Sequence, residues 1–144
     1  MSVISISDMV LKENLFKEYD DILDSAIIDE RNLKRALKKA ISEVNTSMLL
    51  IECHSIAIIP KSLINRLIVL RANTETLYDR LKQRNYSVPK IEENIDCEIM
   101  QVVCEEASEI FSSLVPIHIF ENNSTKDAKE IIDFLKDIYQ EIKK

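Results

Sequence analysis

The chain has 144 residues, of which 46% are hydrophobic and 31% are charged, and its formal net charge is −6. These values are typical of one globular domain and exclude a disordered chain. Because an acidic protein lacks the positive surface that displaces phosphate counterions, they also argue against nonspecific binding to DNA or RNA.

The chain carries no sign of a membrane protein or a secreted protein. No run reaches the ~18 apolar residues that are needed to cross a bilayer. The start MSVISISDMV lacks the basic residues and the long apolar stretch of a secretory signal. We therefore expect an intracellular protein with no membrane partner.

Cysteine and glycine usage narrows the kinds of site that the chain can form. Its three cysteines, Cys53, Cys97 and Cys104, are widely spaced, which argues against a disulfide framework and a structural zinc site. Cys97 and Cys104 are seven residues apart and are predicted to pack on one helix face. Glycine is absent, although average usage of about 7% predicts about ten. No glycine-rich phosphate loop can form within these residues, and the turns must use Asn, Asp and Ser.

The first half of the chain predicts two strands and two helices. The apolar run VISI, residues 3–6, is a short strand that opens onto Ser7 and Asp8, a helix-cap pair. Residues 27–44 have the apolar spacing of a helix, with Asp29 as its cap. The continuous apolar run 48–52 is typical of a strand that is buried on both faces.

The second half continues the alternation of strands and helices. Residues 67–70 form another strand with the pattern of burial on both faces, and residues 73–84 form a helix that begins near Thr74. A longer helix is predicted over 91–114, followed by a strand over 117–120 and a final helix capped by Ser124. The residues expected to face inward on these three helices are Leu77, Tyr78, Leu81, Ile91, Ile95, Ile99, Val102, Val103, Ile110, Leu114, Ile131, Leu135, Ile138 and Ile142.

This order predicts an α/β sandwich around a mainly parallel sheet, in which ligands bind beyond the carboxyl ends of the strands. The segment from Glu52 to His54 follows one strand, and Arg71 follows another. Two interpretations of Glu52 and His54 remain open from the residues alone. They are either functional groups on this rim or polar residues satisfied by the nearby backbone. Arg71 and Arg80 are predicted to be structural and to pair with acids across the rim.

Two segments carry a resemblance to a known family. Residues 68–86 read IVLRANTETLYDRLKQRNY, and residues 94–107 read NIDCEIMQVVCEEA. Both are similar to the adenylate kinase isoenzyme 6 family, the coilin-interacting nuclear ATPases that act in maturation of the small ribosomal subunit. The similarity runs from about Val3 to the C-terminus. It implies a three-layer, P-loop NTPase fold of the nucleoside monophosphate kinase type over residues 1–144.

The resemblance implies roles for particular residues. Residues from about 5 to 28 match the region that closes over the nucleoside monophosphate, and Asp8 matches an acidic residue at its start. Residues 83–93 match the lid, in which Arg84 is the expected ATP-contacting arginine, and Asn122 also matches a nucleotide-contacting position. The sequence ECH falls on an Asp-x-His motif, so that Glu52 would assist magnesium, through water, and His54 would support hydrolysis.

The implied ligands and partners follow from the same resemblance. They are ATP, AMP and magnesium, together with a basic protein of the small ribosomal subunit, in the nucleus or the cytoplasm. The acidic residues Glu18, Asp20, Asp21 and Asp24 are either a solvated face or the surface that meets this basic protein.

The chain departs from the family in three places. Glu52 replaces an aspartate, which moves the carboxylate by roughly a bond length in a site where ~1 Å can cost ~10²-fold. Asn123 stands where the family has an ATP-contacting lysine. The first strand, the G-x-x-x-x-G-K-[ST] loop and the first helix have no counterpart, and this loop supplies most of the electrostatics of phosphoryl transfer.

Three interpretations therefore remain open. The chain is a piece of a kinase and ATPase whose N-terminal unit is missing from this sequence, a relative that binds a basic ribosomal protein without turnover, or an unrelated α/β domain. On the first two interpretations we expect no competent kinase in the chain alone. We also expect an unpaired strand edge at residues 49–52 or 67–70, which would favour self-association.

Overall fold

The computed structural model describes residues 1–21 and 25–143, and within them the chain alternates strands and helices. The strands are β1 Ser2–Ser5, β2 Phe16–Asp20, β3 Ser25–Ile28, β4 Leu49–Glu52, β5 Leu67–Arg71 and β6 Ile117–Glu121. The helices are α1 Ile6–Lys12, α2 Glu30–Glu43, α3 Thr74–Gln83, α4 Val88–Ile99, α5 Val102–Phe111 and α6 Thr125–Ile142, with a short 3-10 turn at Lys61–Leu63. None of the helices in the described ranges is both long enough and apolar enough to span a bilayer.

The predicted α/β fold with mainly parallel strands is confirmed. β1 pairs in parallel with β4, and β5 pairs in parallel with β6. Both pairs contribute to one hydrophobic core, which contains Ile6 and Leu33 together with Val69 and Phe111. Within the described part of the chain β4 and β5 are not hydrogen-bonded to each other, so each has a ladder partner on one side only.

An antiparallel hairpin of β2 and β3 was not predicted from the sequence. Its strands are short, β2 is rich in charged residues, and a register irregularity between Phe16 and Glu18 interrupts the alternation that marks a strand. Asp24, one of the four acids considered above, lies outside the described residues.

Side-chain caps fix where several helices begin. Asp29 caps α2 by accepting a hydrogen bond from Asn32 N, as predicted, and Ser124 caps α6 in a reciprocal capping box with Asp127. The predicted cap of α1 at Ser7 and Asp8 was wrong. Ser5 is the cap, and its Oγ accepts from Asp8 N at 3.4 Å, so the helix begins at Ile6.

The predicted helix over 91–114 is wrong because two helices, α4 and α5, occupy this range. Gln101 separates them with a φ of 55°, a left-handed conformation that ends the first helix and redirects the second. The inward stripe does not continue across this break, and Ile99 is 59% exposed. Val102, Val103 and Leu114 are also exposed, whereas Ala107 and Phe111 are completely buried.

The strands predicted to be buried on both faces are only partly covered. In β5, Leu67 and Val69 are buried while Leu70 is 49% exposed, and the apolar residues of β4 are half-buried. Tyr78 of α3, predicted to face inward, is 46% exposed, and Ile142 of α6 is exposed as well. In this structure one face of β5 is therefore less completely covered than its apolar sequence predicts.

The absence of glycine is reflected in the turns. Positive φ angles occur among the described residues at Asn14, Asn85 and Gln101. Asparagine tolerates the left-handed region better than most residues because its short side chain bonds locally. Two of these three positions thus confirm that asparagine replaces glycine in the turns of this chain.

Candidate functional site

The parallel pairing brings the carboxyl ends of neighbouring strands together. Ser5 is in register with Glu52 at the end of β1 and β4, and Arg71 is in register with Glu121 at the end of β5 and β6. Asn122 directly follows β6. Within each pair the strands run in parallel, so the polar residues that follow them lie at the same end of that pair.

The first group of residues, at the carboxyl ends of β1 and β4, contains Glu52, His54 and Asp8. Glu52 and His54 are exposed at the end of β4. Asp8 is exposed in the first turn of α1, which starts directly after the strand that neighbours β4. The structure therefore places all three side chains around the ends of one strand pair.

Cys53, between Glu52 and His54, is a packing residue. It is half-buried and packs against the core. Burial raises its pKa to about 11, and the negative charges of Glu52 and Glu106 act in the same direction. Because the thiolate is the nucleophilic form of cysteine, the Cys53 thiol is unsuited to nucleophilic chemistry at neutral pH.

Glu106 of α5 holds the loop that follows β4, and the sequence analysis did not identify it. Its Oε1 accepts a hydrogen bond from Ser55 Oγ at 3.3 Å, and its Oε2 accepts from Ile56 N at 3.1 Å. These partners are about fifty residues away in sequence, so local patterning could not have revealed the contact.

The second group, at the carboxyl ends of β5 and β6, forms a cleft of about 190 Å³ that is rich in arginine. Three guanidinium groups and a single carboxylate line it, so its wall carries an excess of positive charge in an otherwise acidic protein. The lining residues are Leu70, Arg71, Ala72, Leu77, Arg80, Leu81, Arg84, Glu98 and Asn122.

Two of the three arginines are engaged by the protein. Arg71 Nε lies 2.6 Å from Glu98 Oε1, and this hydrogen bond is the main reason why the pKa of Arg71 is raised. Arg71 also donates through Nη2 to the carbonyl of Glu98 at 3.3 Å. Arg80 donates to the carbonyl of Asn122. The prediction of a structural, acid-paired Arg71 is confirmed, whereas Arg80 bonds a carbonyl and not an acid.

Arg84 is the arginine of the cleft that the protein leaves available. It is exposed at the C-terminal cap of α3, and its guanidinium has no ion pair within the described ranges. Asn122, across the cleft, donates its backbone N–H to the carbonyl of Arg71 at 2.7 Å. The sequence-predicted residues Arg84 and Asn122 are thus brought to the same cleft.

Asn123 connects the loops on which this cleft depends. Its Oδ1 accepts from Asn73 N at 2.7 Å, and its own N–H donates to Asp127 Oδ2 at 2.8 Å. Asn123 therefore links the start of α3 to the start of α6.

Glu52 fits magnesium only in combination with a phosphate ligand. In the described part of the chain no group of three or more His, Cys, Asp or Glu side chains could hold a metal ion. Magnesium commonly binds through one or two carboxylates, several waters and substrate phosphates, and an exposed carboxylate at a strand end supplies the oxygen that this arrangement needs.

Comparison with known proteins identifies relatives of this chain. A family profile described as AAA domain matches residues 1–101. The adenylate kinase isoenzyme 6 homolog HBR1 of Candida albicans is 32% identical over 90% of this chain and 50% of its own length. The adenylate kinase isoenzyme 6 homolog of Plasmodium falciparum is 32% identical over 94% of the chain and 73% of its own length.

An archaeal relative extends the similarity beyond eukaryotes. The putative adenylate kinase of Saccharolobus solfataricus is 37% identical over 80% of this chain and 59% of its own length. The chain thus spans about half to three quarters of the length of these relatives. By sequence, the chain belongs to the adenylate kinase isoenzyme 6 family, and its fold is of the P-loop NTPase class.

Proposed function

We propose that this chain binds an adenine nucleotide together with magnesium at the carboxyl ends of its parallel strands. The observation that carries this proposal is the arginine-rich cleft beyond β5, where Arg84 has no protein ion pair and Asn122 lies opposite. A guanidinium group forms strong, charge-assisted hydrogen bonds with phosphate oxygens. Membership of the adenylate kinase isoenzyme 6 family supports the choice of nucleotide.

Each residue in the site then has a distinct role. Arg84 neutralises phosphate charge, and Asn122 borders the nucleotide from the loop after β6. Glu52 would assist magnesium through water, and in a site that is complete for hydrolysis His54 would accept the proton of the attacking water. Magnesium, when bound, supplies the charge that phosphate oxygens require. Asp8 would stand at the start of the region, about residues 5–28, that closes over the nucleoside monophosphate.

Turnover requires a component that these residues do not contain. Phosphoryl transfer depends mainly on positioning and electrostatics, and in P-loop enzymes the backbone of a glycine-rich loop supplies much of both. A chain without glycine cannot form that loop. We therefore propose that the chain alone binds nucleotide without transferring phosphate from ATP to AMP. The transferase activity would belong to a site that includes such a loop.

Calorimetric titration of the chain with Mg·ATP tests the proposed binding. We expect micromolar affinity for the wild-type chain and a loss of about tenfold or more in Arg84→Ala, because a charge-assisted contact contributes about 1.5–3 kcal/mol. Lys82→Ala is the matched control, since Lys82 is an exposed cation of the same helix that does not line the cleft.

Two results would contradict the nucleotide proposal. One is the absence of heat on addition of millimolar Mg·ATP to the folded wild-type chain. The other is an equal loss of affinity in Arg84→Ala and Lys82→Ala, which would show that overall charge and not the cleft governs binding.

The second candidate function is binding of a basic small-subunit ribosomal protein, with a role in maturation of that subunit in the nucleus or cytoplasm. The observation in its favour is the exposure of Glu18 and Asp21 on the β2–β3 hairpin of a chain with net charge −6. Charge complementarity of this kind speeds association and makes it salt-dependent. Binding of such a protein that is unchanged between 50 and 300 mM salt, or unchanged by Glu18→Lys, would exclude this surface.

A further inference from the structure

The loop after β4 is anchored immediately beyond His54 by a carboxylate from α5. Glu106 accepts from the hydroxyl of Ser55 at 3.3 Å and from the backbone N–H of Ile56 at 3.1 Å, with one oxygen for each donor. Both donors lie within two residues of His54. A carboxylate that binds two successive residues restricts the backbone more than a single hydrogen bond can.

The surroundings make this anchor rigid. Ile56 is buried in the core, and Cys53 packs against the same core on the other side of His54. Glu106 stands beside Ala107, which is completely buried, so α5 is firmly packed where the carboxylate leaves it. The exposed His54 side chain is therefore carried on a short segment that is held at both ends.

We propose that Glu106 is a positioning residue for His54 and Glu52, which sets the backbone path between β4 and Ile56 and thereby the direction of both side chains. This inference rests on the proposed function, in which these two side chains face magnesium and the attacking water. Contacts one step behind a metal ligand or base commonly set its orientation. Glu105, the preceding residue of α5, is exposed and provides a comparison on the same helix.

The test compares Glu106→Ala and Glu106→Gln with the matched control Glu105→Ala, which removes the same charge from the same helix. The first measurement is hydrogen exchange of the Ile56 amide by NMR, and the second is the position of the His54 ring resonances. Neither measurement requires nucleotide. The third is the affinity for ATP by calorimetry, with magnesium and with EDTA.

We expect Glu106→Ala to accelerate exchange of the Ile56 amide about tenfold and to shift the His54 resonances, because the anchor is removed. Glu106→Gln keeps an acceptor oxygen, so the exchange rate of the Ile56 amide and the His54 resonances should both lie closer to the wild-type values. Affinity for Mg·ATP should fall about tenfold in Glu106→Ala while affinity for metal-free ATP changes less than about twofold. A purely structural role would weaken both affinities or neither.

Several outcomes would overturn the inference. Faster exchange at Ile56 with unchanged His54 resonances would show that Glu106 holds the Ile56 backbone without positioning His54. If Glu105→Ala changed the Ile56 exchange rate and the His54 resonances as much as Glu106→Ala does, the loss of a negative charge on α5 would explain both changes without an anchor. If Glu106→Ala does not fold, Ser55→Ala removes one of the two bonds, and an unchanged His54 signal in that variant would contradict positioning. If the wild-type chain binds no ATP, the proposed function fails, and the two NMR measurements still decide the positioning role.

Discussion

At the scale of single residues, neighbours in sequence behave differently because their burial differs. Glu52 and His54 are exposed, whereas Cys53 between them packs against the core. The alternation follows from the end of a strand, where successive side chains point to opposite faces. It leaves a carboxylate and an imidazole on the side available to ligand and a thiol on the side that is not.

We expect Cys53 to react with iodoacetamide much more slowly than Cys97, which is exposed on α4. With a pKa of about 11, only roughly a thousandth of the Cys53 thiol is ionised at pH 8. Mass spectrometry of timed, quenched samples measures the two rates. In urea the difference should disappear, and equal rates in the folded protein would contradict the burial of Cys53.

At the scale of secondary-structure elements, the caps decide where helices begin and a single left-handed residue decides where one ends. The Ser124 cap followed from sequence because its partner Asp127 is three residues away. The break at Gln101 did not, because glutamine is not a residue type that marks a left-handed position and apolar residues continue on both sides.

Gln101→Gly should raise the free energy of unfolding by about 0.5–1 kcal/mol. A residue with a Cβ atom is disfavoured in the left-handed region, and the Gln101 side chain makes no capping hydrogen bond that would be lost. Urea unfolding measures the change. Gln101→Ala, which keeps the Cβ atom, should give no such gain, and destabilisation by Gln101→Gly would show that this side chain contributes to packing.

The start of α6 should make stability depend on pH. The backbone N–H of Asn123, followed by the hydroxyl and N–H of Ser124, lowers the pKa of Asp127. The ionised Asp127 therefore stabilises the folded chain. This stabilisation is fully present above the unfolded pKa of about 3.9, and it is lost as the pH falls through the lower folded pKa. Asp127→Asn should flatten the loss of stability between pH 5.5 and 2.5, as measured by urea unfolding. Asp137→Asn, which removes a carboxylate from the C-terminal half of the same helix, is the matched control.

At the scale of the whole molecule, the two parallel strand pairs share one core but are not joined by a ladder in the described part of the chain. β4 and β5 each offer one edge, and exposed apolar residues lie on β5 at Leu70 and on β1, the partner of β4, at Val3. Unpaired edges beside apolar surface favour association between chains.

We expect the chain to self-associate at micromolar concentration, as measured by sedimentation velocity. Leu70→Lys should shift the population toward monomer, because a charge on β5 disfavours pairing of its edge. Ile142→Lys is the control, since Ile142 is also 49% exposed but lies at the end of α6. A monomeric wild-type chain with a cooperative melt at high temperature would contradict this expectation.

The sequence determined the helices and strands that depend on local capping residues and on the spacing of apolar residues. The apolar runs predicted β4, β5 and β6, the caps at Asp29 and Ser124 located α2 and α6, and the lack of glycine predicted asparagine in the turns. The resemblance in residues 68–86 and 94–107 identified the family. These features are readable because each depends on residues a few positions apart.

Only the tertiary structure decided the features that join distant segments. It placed Arg71, Arg80 and Arg84 around one cleft, directed Glu106 to the loop after β4, and left Leu70 exposed on a strand that reads as buried. Contacts across fifty residues depend on how helices pack against strands, and a side chain's burial depends on what covers it. Neither the long-range contacts nor the burial of a side chain can be read from the spacing of neighbouring residues. The sequence therefore predicted which residues follow the strands, but not which side chains from distant helices join them.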